Sequence, residues 1–340
     1  MSAAPTTTTP APAKPQSHRL HDLVHAEKVP VPALAVLILI TLVMLLVNPS
    51  FLSLGNLSTL AVQSAVPVVL AVGLTFVVLM GGIDLSLEGV MGASGMATAV
   101  LLLNDRTGMD LGLWAVVVAV ALGAALGALS GFSVAFLRVP SFIVTIGTWQ
   151  IGLGIAQLLF AGKPPRIQDA GFLRLAVNPV FGLPFLVWTA VAVVLIGAWI
   201  QHYSRFGRYV MVVGGGEDIA RLSGIPVRRI RVYGFILSGL CAGLAGALAT
   251  ARTGVGDVGI GTGQLFITIA GVVIGGTVLT GGRGGVLHSV VGVVVMVALA
   301  NGMVLAGVSS FIQQAVLGAI VVAAAVVTMW RLRARLRVVK

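Results

Sequence analysis

STLAVQSAVPVVLAVGLTFVVLM, residues 58–80, decides the fold, and GGIDLSLE, residues 81–88, follows it directly. The first stretch runs 23 residues without a charged side chain. At about 1.5 Å of rise per residue it is long enough to cross a hydrocarbon core about 30 Å thick. The second stretch puts two glycines and two carboxylates where the apolar run ends, so the chain turns there before the next run begins.

Working outward, similar runs recur along the chain. The expected spans are 31–48, 58–80, 87–104, 111–137, 141–161, 183–201, 232–251, 265–281, 289–307 and 313–330. Gly and Pro inside 58–80 (Pro67) and 111–137 predict bends or breaks there. Composition agrees: 58% of the 340 residues are hydrophobic and 9% are charged. A soluble domain is nearer 45–50% apolar and about 25% charged. The 44 glycines suit closely packed membrane helices. The expected fold is therefore all-α: a polytopic membrane protein of about ten transmembrane helices, some of them broken or re-entrant.

Basic residues set the orientation. With both termini cytoplasmic, the inside segments hold 16 Lys and Arg and the outside loops hold 5 (Arg106, Lys163, Arg166, Arg174 and Arg252). The net charge of +11 thus reads as membrane topology, with no nucleic acid as a partner. Trp114, Trp188, Trp199 and Trp330 fall near span ends, as interfacial aromatics do. Residues 1–30, rich in Pro, Thr and Ala, read as a disordered cytoplasmic tail. Residues 31–330 read as the membrane body, and 331–340 as a basic cytoplasmic tail. The single cysteine, Cys241, reads as a small buried hydrophobe.

Two short echoes are visible. Residues 81–86, GGIDLS, resemble 275–280, GGTVLT, and 139–143, VPSFI, resemble 308–312, VSSFI. They do not fit a single repeat scheme.

The polar segment 202–231 carries the most structured signal. Gly214, Gly215 and Gly216 break the chain; Glu217 through Ser223 then read as a short helix with acids in its first turn. Gly224 ends it and Pro226 prevents its continuation. The segment is either an anchored connector or a docking element for a partner.

Asp84 and Glu88 invite a proton-coupling role if buried. The expectation is that both lie at the surface, with Asp84 capping the helix that follows Ser86. Intramembrane polar residues Gln63, Thr148, Trp149, Gln150 and Asn301 are candidates for a solute path. Trp149 beside Gln150 is the best pair, because an aromatic face plus an amide suits a polyol; the competing role for each is helix–helix hydrogen bonding. Gly123, Gly127 and Gly131, and Gly239 with Gly243, are close-packing faces.

Other signals exclude chemistry. Gly254-Val-Gly256-Asp-Val-Gly259 matches a dinucleotide fingerprint but follows no strand. The chain has no phosphate-cradling GxxxxGK motif, no His/Cys metal set and no nucleophile motif. No catalytic residue and no metal site is expected.

Four stretches together carry a family resemblance: VVLMGGIDLSLEGVMGASG (77–95), VPSFIVTIGTWQIGLGIAQLL (139–159), RFGRYVMVVGGGEDIARLSGIPVRRIRVYGFILSGLCAGLAGAL (205–248) and IAGVVIGGTVLTGGRGGVLHSVVG (269–292). In that order they resemble the permease subunit of the ribose/xylose/galactose class of sugar-uptake ATP-binding-cassette transporters, over roughly 33–330. The resemblance implies a bacterial inner-membrane importer: two permease copies, separate ATPase subunits that bind ATP and Mg, and an extracytoplasmic solute-binding protein. It also implies that the short helix couples to the ATPase through Gly216, Glu217, Asp218, Ile219, Ala220, Arg221, Leu222, Ser223 and Gly224. The family usually has Asn before that Glu and often Ala-Ala after it; this chain has Gly216 and Ile219-Ala220. The chain would be a transport subunit for a monosaccharide and not an enzyme, with Asp84 and Ser86 as structural or gating residues. Alternatives are a permease for another small polar solute, such as a nucleoside or furanosyl compound, or an ion-coupled carrier.

Overall fold

The computed structural model describes residues 30–336, so the expected tail 1–30, but for Pro30, lies outside the described residues, as do 337–340. The described chain is helical almost throughout. In order the helices are α1 (Val31–Val47), α2 (Leu54–Leu79), α3 (Leu87–Leu101), α4 (Trp114–Phe136), α5 (Ser141–Phe160), α6 (Ala170–Val177) and α7 (Phe185–Tyr203). They continue as α8 (Arg205–Gly215), α9 (Glu217–Leu222), α10 (Val227–Thr253), α11 (Gln264–Ile274), α12 (Val286–Leu305) and α13 (Ser310–Leu336). One small hairpin pairs β1 (Pro179–Val180) with β2 (Leu183–Pro184).

Each of the ten expected apolar runs contains a helix. Six of them, α2, α4, α5, α7, α10 and α12, are long and apolar enough to cross a membrane. The helices α1, α3 and α11 and the apolar part of α13 are shorter. The span expected at 265–281 is the largest departure, because α11 has only 11 residues. That is about 16 Å of helix, half a bilayer core. Gly275, Gly276, Gly281 and Gly282 end it, and the last three adopt positive φ.

The breaks fall elsewhere than expected. Helix α2 runs unbroken through Pro67, and α4 through its glycines. Pro67 deletes one backbone hydrogen bond, yet α2 is enclosed on every side from Ser64 to Leu79, and that packing holds its course. The real interruptions are 80–86, 254–263 and 275–285.

Helices α2 and α3 form the centre, with α3 buried from Leu87 to Ala99. The tightest pair around them is α4 with α10. A Cβ at Gly123 would overlap the carbonyl oxygen of Gly239, and one at Gly127 would overlap that of Phe235. The two glycine faces read from the sequence are thus each other's partner, which lets two backbones touch.

At one end of the bundle, an arginine-rich end, Gly282 N–H donates to the Leu79 carbonyl at 2.9 Å. The echo segments 81–86 and 275–280 therefore mark two chain breaks that lie side by side. At the other end Arg106 donates to the carbonyls of Leu159, Phe160 and Lys163, closing the C-terminus of α5. Asp169 caps α6 there, accepting from Gly171 N–H at 2.8 Å, and Lys163 pairs with Asp105 at 3.0 Å.

Candidate functional site

The short helix foreseen in 202–231 is α9, and local chemistry explains it. Ser204 caps α8, accepting from Gly207 N–H at 3.0 Å. Gly216 separates α8 from α9. At the far end Ser223 Oγ donates to the Ile219 carbonyl at 2.8 Å, and Gly224, at φ +74°, turns the chain toward Pro226.

Glu217 fixes the orientation of α9. Its carboxylate accepts from Arg221 within the helix at 2.5 Å and from Arg231 at the start of α10. Burial opposes its charged form, but the hydrogen bond from Arg221 and the charges of Arg231 and Arg221 outweigh it and hold the carboxyl below its usual range. Ala220 is fully buried against the bundle, while Ile219 is 67% and Leu222 is 89% exposed. A short, pinned helix thus presents two apolar side chains outward from a polar loop. Asp218 and Arg221 are exposed beside them.

Behind α9, the end of α8 meets the bundle backbone to backbone, beside the buried side chain of Val213. A Cβ at Gly214 would overlap the Leu79 carbonyl oxygen and lie 2.5 Å from Gly282 N. The ends of α8 and α2 and the 275–285 segment therefore share one contact point, so a displacement of α8 reaches α2 directly.

The carboxylates expected at the surface are buried. Asp84 is 2% and Glu88 8% exposed. Asp84 does bond toward the following helix, accepting from Ser86 N–H at 2.9 Å and Ser86 Oγ at 2.6 Å. Its other oxygen accepts from Ser238 Oγ on α10 at 2.6 Å. The reason for the difference is the course of 80–86. After α2 reaches the arginine-rich end, this segment climbs back along α10, so Asp84 lies beside Ser238, seven residues or about 10 Å beyond Arg231.

Glu88 accepts from Leu265 N–H at 3.1 Å, capping α11 from a different helix. Glu88→Gln keeps an acceptor oxygen in place and is expected to leave thermal stability near wild type. Glu88→Ala strands the N-terminus of α11, a loss of about 1–3 kcal/mol. Thermal melting of the purified protein checks both substitutions, with a measurable fall expected for Ala alone.

The five expected path residues are not brought together. Gln63 is half-buried on α2. Thr148 and Ser130 Oγ share a hydrogen bond of 2.7 Å that ties α5 to α4. Asn301 accepts from Asn56 at 3.0 Å, tying α12 to α2. Trp149 packs against Gly89 with its indole N–H buried and unpartnered, whereas Gln150 is exposed. Gln150 and Gln157 share an outward face of α5 with Gly147, which has open space around it.

Sequence reasoning passed over the Gly214 contact and the segment 254–263, which entered only as a false fingerprint. The signal available was the glycine density in 254–263 and 275–285, unusual for two ordinary loops.

Comparison with known proteins adds the following. Residues 56–325 match the family described as the permease component of the branched-chain amino acid transport system. The chain is 36% identical to the ribose import permease protein of Escherichia coli, an alignment spanning 86% of this chain and 91% of that one. It is 35% identical to the D-allose transport system permease protein of E. coli, over 81% and 83% of the two chains. It is 32% identical to the L-arabinose transport system permease protein of E. coli, over 84% and 86%.

Proposed function

The chain belongs to this family of transport permease components, and from that premise we propose that two copies form the membrane path of an ATP-driven importer of a monosaccharide. It is a multi-pass inner-membrane transport subunit and not an enzyme. The observation that carries the reading is α9: a helix pinned by Glu217 that offers Ile219 and Leu222 outward. Residues 216–224 would be the docking element for a separate ATPase that binds ATP and Mg. The solute class follows relatives named for ribose, allose and arabinose.

In this reading the chain crosses about ten times with both termini cytoplasmic, which puts α8 and α9 on the ATPase side. Closure of the ATPase pushes α9; α8 carries the push to the Gly214 contact, and from there α2 and the 275–285 segment move. A binding protein delivers solute at the opposite end, where the hairpin and α6 lie. The outward α5 face with Gln150 and Gln157 supports a second copy, since amides are poor neighbours for lipid tails and glue helices together. A proton-coupled carrier would need a free buried carboxylate. Asp84 and Glu88 are both held by structural hydrogen bonds.

Affinity purification from membranes is the test. An ATPase chain is expected to co-purify, and to be lost on Leu222→Asp with Ile219→Asp. In vesicles, the complex should hydrolyse ATP faster with a sugar-loaded binding protein. A lone permease that accumulates sugar on an imposed proton gradient would overturn the reading.

A further inference from the structure

The segment 254–263 runs down the whole of α3 without forming a helix. Gly256 lies against Ala99 and Met96 in the last turns of α3, Val258 O against Gly92, Ile260 against Gly95, and Gly261 against the Glu88 backbone in the first turn. Its lower end therefore sits about 20 Å below the outer end of α3, by helix rise alone. That depth is well inside a core about 30 Å thick.

At this depth the segment is not sealed in protein. Gly259 and Thr262 are exposed, and Phe266, in the first turn of α11, is 60% exposed. The turns here satisfy some backbone groups, with Thr262 N–H donating to Gly259 O at 2.9 Å and Gln264 N–H to Gly261 O at 3.0 Å. No described residue donates a backbone hydrogen bond to the carbonyls of Ile260 and Thr262. Non-helical backbone facing hydrocarbon costs several kcal/mol per unsatisfied group, so it occurs at membrane depth only inside protein or beside water. The exposure excludes burial within a single copy.

We propose that 259–266 lines a water-filled solute path and meets a polyhydroxylated solute there. The carbonyls of the turn accept from solute hydroxyls, the Thr262 hydroxyl donates or accepts, and the Phe266 ring covers an apolar face of the solute. This rests on the importer reading for its solute, while the exposure of the segment comes from its geometry.

Cysteine accessibility tests it, and the chain is suited to it because its one native cysteine, Cys241, is buried. Thr262→Cys is nearly isosteric, and Gly259→Cys meets only the Thr262 hydroxyl, at 3.3 Å, and the Asp257 carboxylate, at 3.7 Å. A charged, membrane-impermeant thiosulfonate is added to the full-length permease in vesicles. Both variants are expected to react at least about tenfold faster than Leu195→Cys, on the exposed face of α7, because thiolates form in water and not in lipid. Gly108→Cys, in open space in an outer loop, gives the upper reference. D-ribose is expected to slow labelling of Thr262→Cys and not of Gly108→Cys.

Labelling no faster than Leu195→Cys overturns the proposal, as does labelling that appears only after the permease copies are separated. Fast labelling that no monosaccharide slows overturns the solute contact. Absence of an ATPase partner sinks the importer reading by a separate measurement.

Discussion

Glu217→Arg is expected to reduce uptake to background while the chain inserts and folds normally. Glu217 is the one carboxylate that holds α9 on both sides, through Arg221 and Arg231. Reversal places three guanidinium groups together and releases the helix from α10. The fold tolerates this, because all three side chains are 27–54% exposed and such pairs contribute about 0.2–1 kcal/mol each. The direction of Ile219 and Leu222 does not tolerate it. Exchanging the pair within the helix, Glu217→Arg with Arg221→Glu, restores one tie but leaves the new guanidinium at position 217 facing Arg231, so transport stays lost. Adding Arg231→Glu reverses every sign and restores both ties. Recovery in the triple variant would assign the effect to the geometry of α9; continued loss would assign it to charges that the ATPase reads. Near-normal uptake by Glu217→Arg alone would remove α9 from the coupling path.

The second large effect is structural. Gly127→Leu is expected to leave almost no folded permease in detergent extracts. The new Cβ would overlap the Phe235 carbonyl oxygen and stand 3.1 Å from the Gly239 Cα. Neither obstacle is a side chain that can rotate away, so α4 and α10 must separate. Overpacking usually costs about 1–3 kcal/mol; here the separation also pulls Ser238 from Asp84 and Ser130 from Thr148. The same substitution at Gly147, with open space around its Cβ position, should leave the chain folded. Fluorescence-detected gel filtration distinguishes these results. A wild-type elution profile for Gly127→Leu would show that α4 and α10 do not touch at this point.

Much of the architecture is legible in the sequence alone. Ten apolar helices are, because apolar runs mark where a chain meets hydrocarbon, although only six of them are long enough to cross it. Helix α9 is, because acids in a first turn, a terminal glycine and a following proline act within one or two turns of chain. The glycine faces of α4 and α10 are legible as faces, though not as partners, since small residues invite an approach without naming what approaches.

The candidate site was less legible. Asp84 and Glu88 follow a turn, and a turn between spans reads as a surface. Only the climb of 80–86 back along α10 puts Asp84 beside Ser238 and Glu88 under α11. Trp149 and Gln150 are neighbours in sequence but about 100° apart around a helix, so one packs on α3 and the other faces out.

The sequence by itself determined that this chain lives in a membrane, how many apolar helices it builds, and where a short helix interrupts its longest basic loop. These follow from chemistry that acts over a span or a turn. The depth of the buried carboxylates, the backbone contact at Gly214 and the descent of 254–263 along α3 were decided only by the tertiary structure. Each depends on which distant backbones come close enough to touch, and glycine, the residue that permits the approach, carries no side chain to say where it leads.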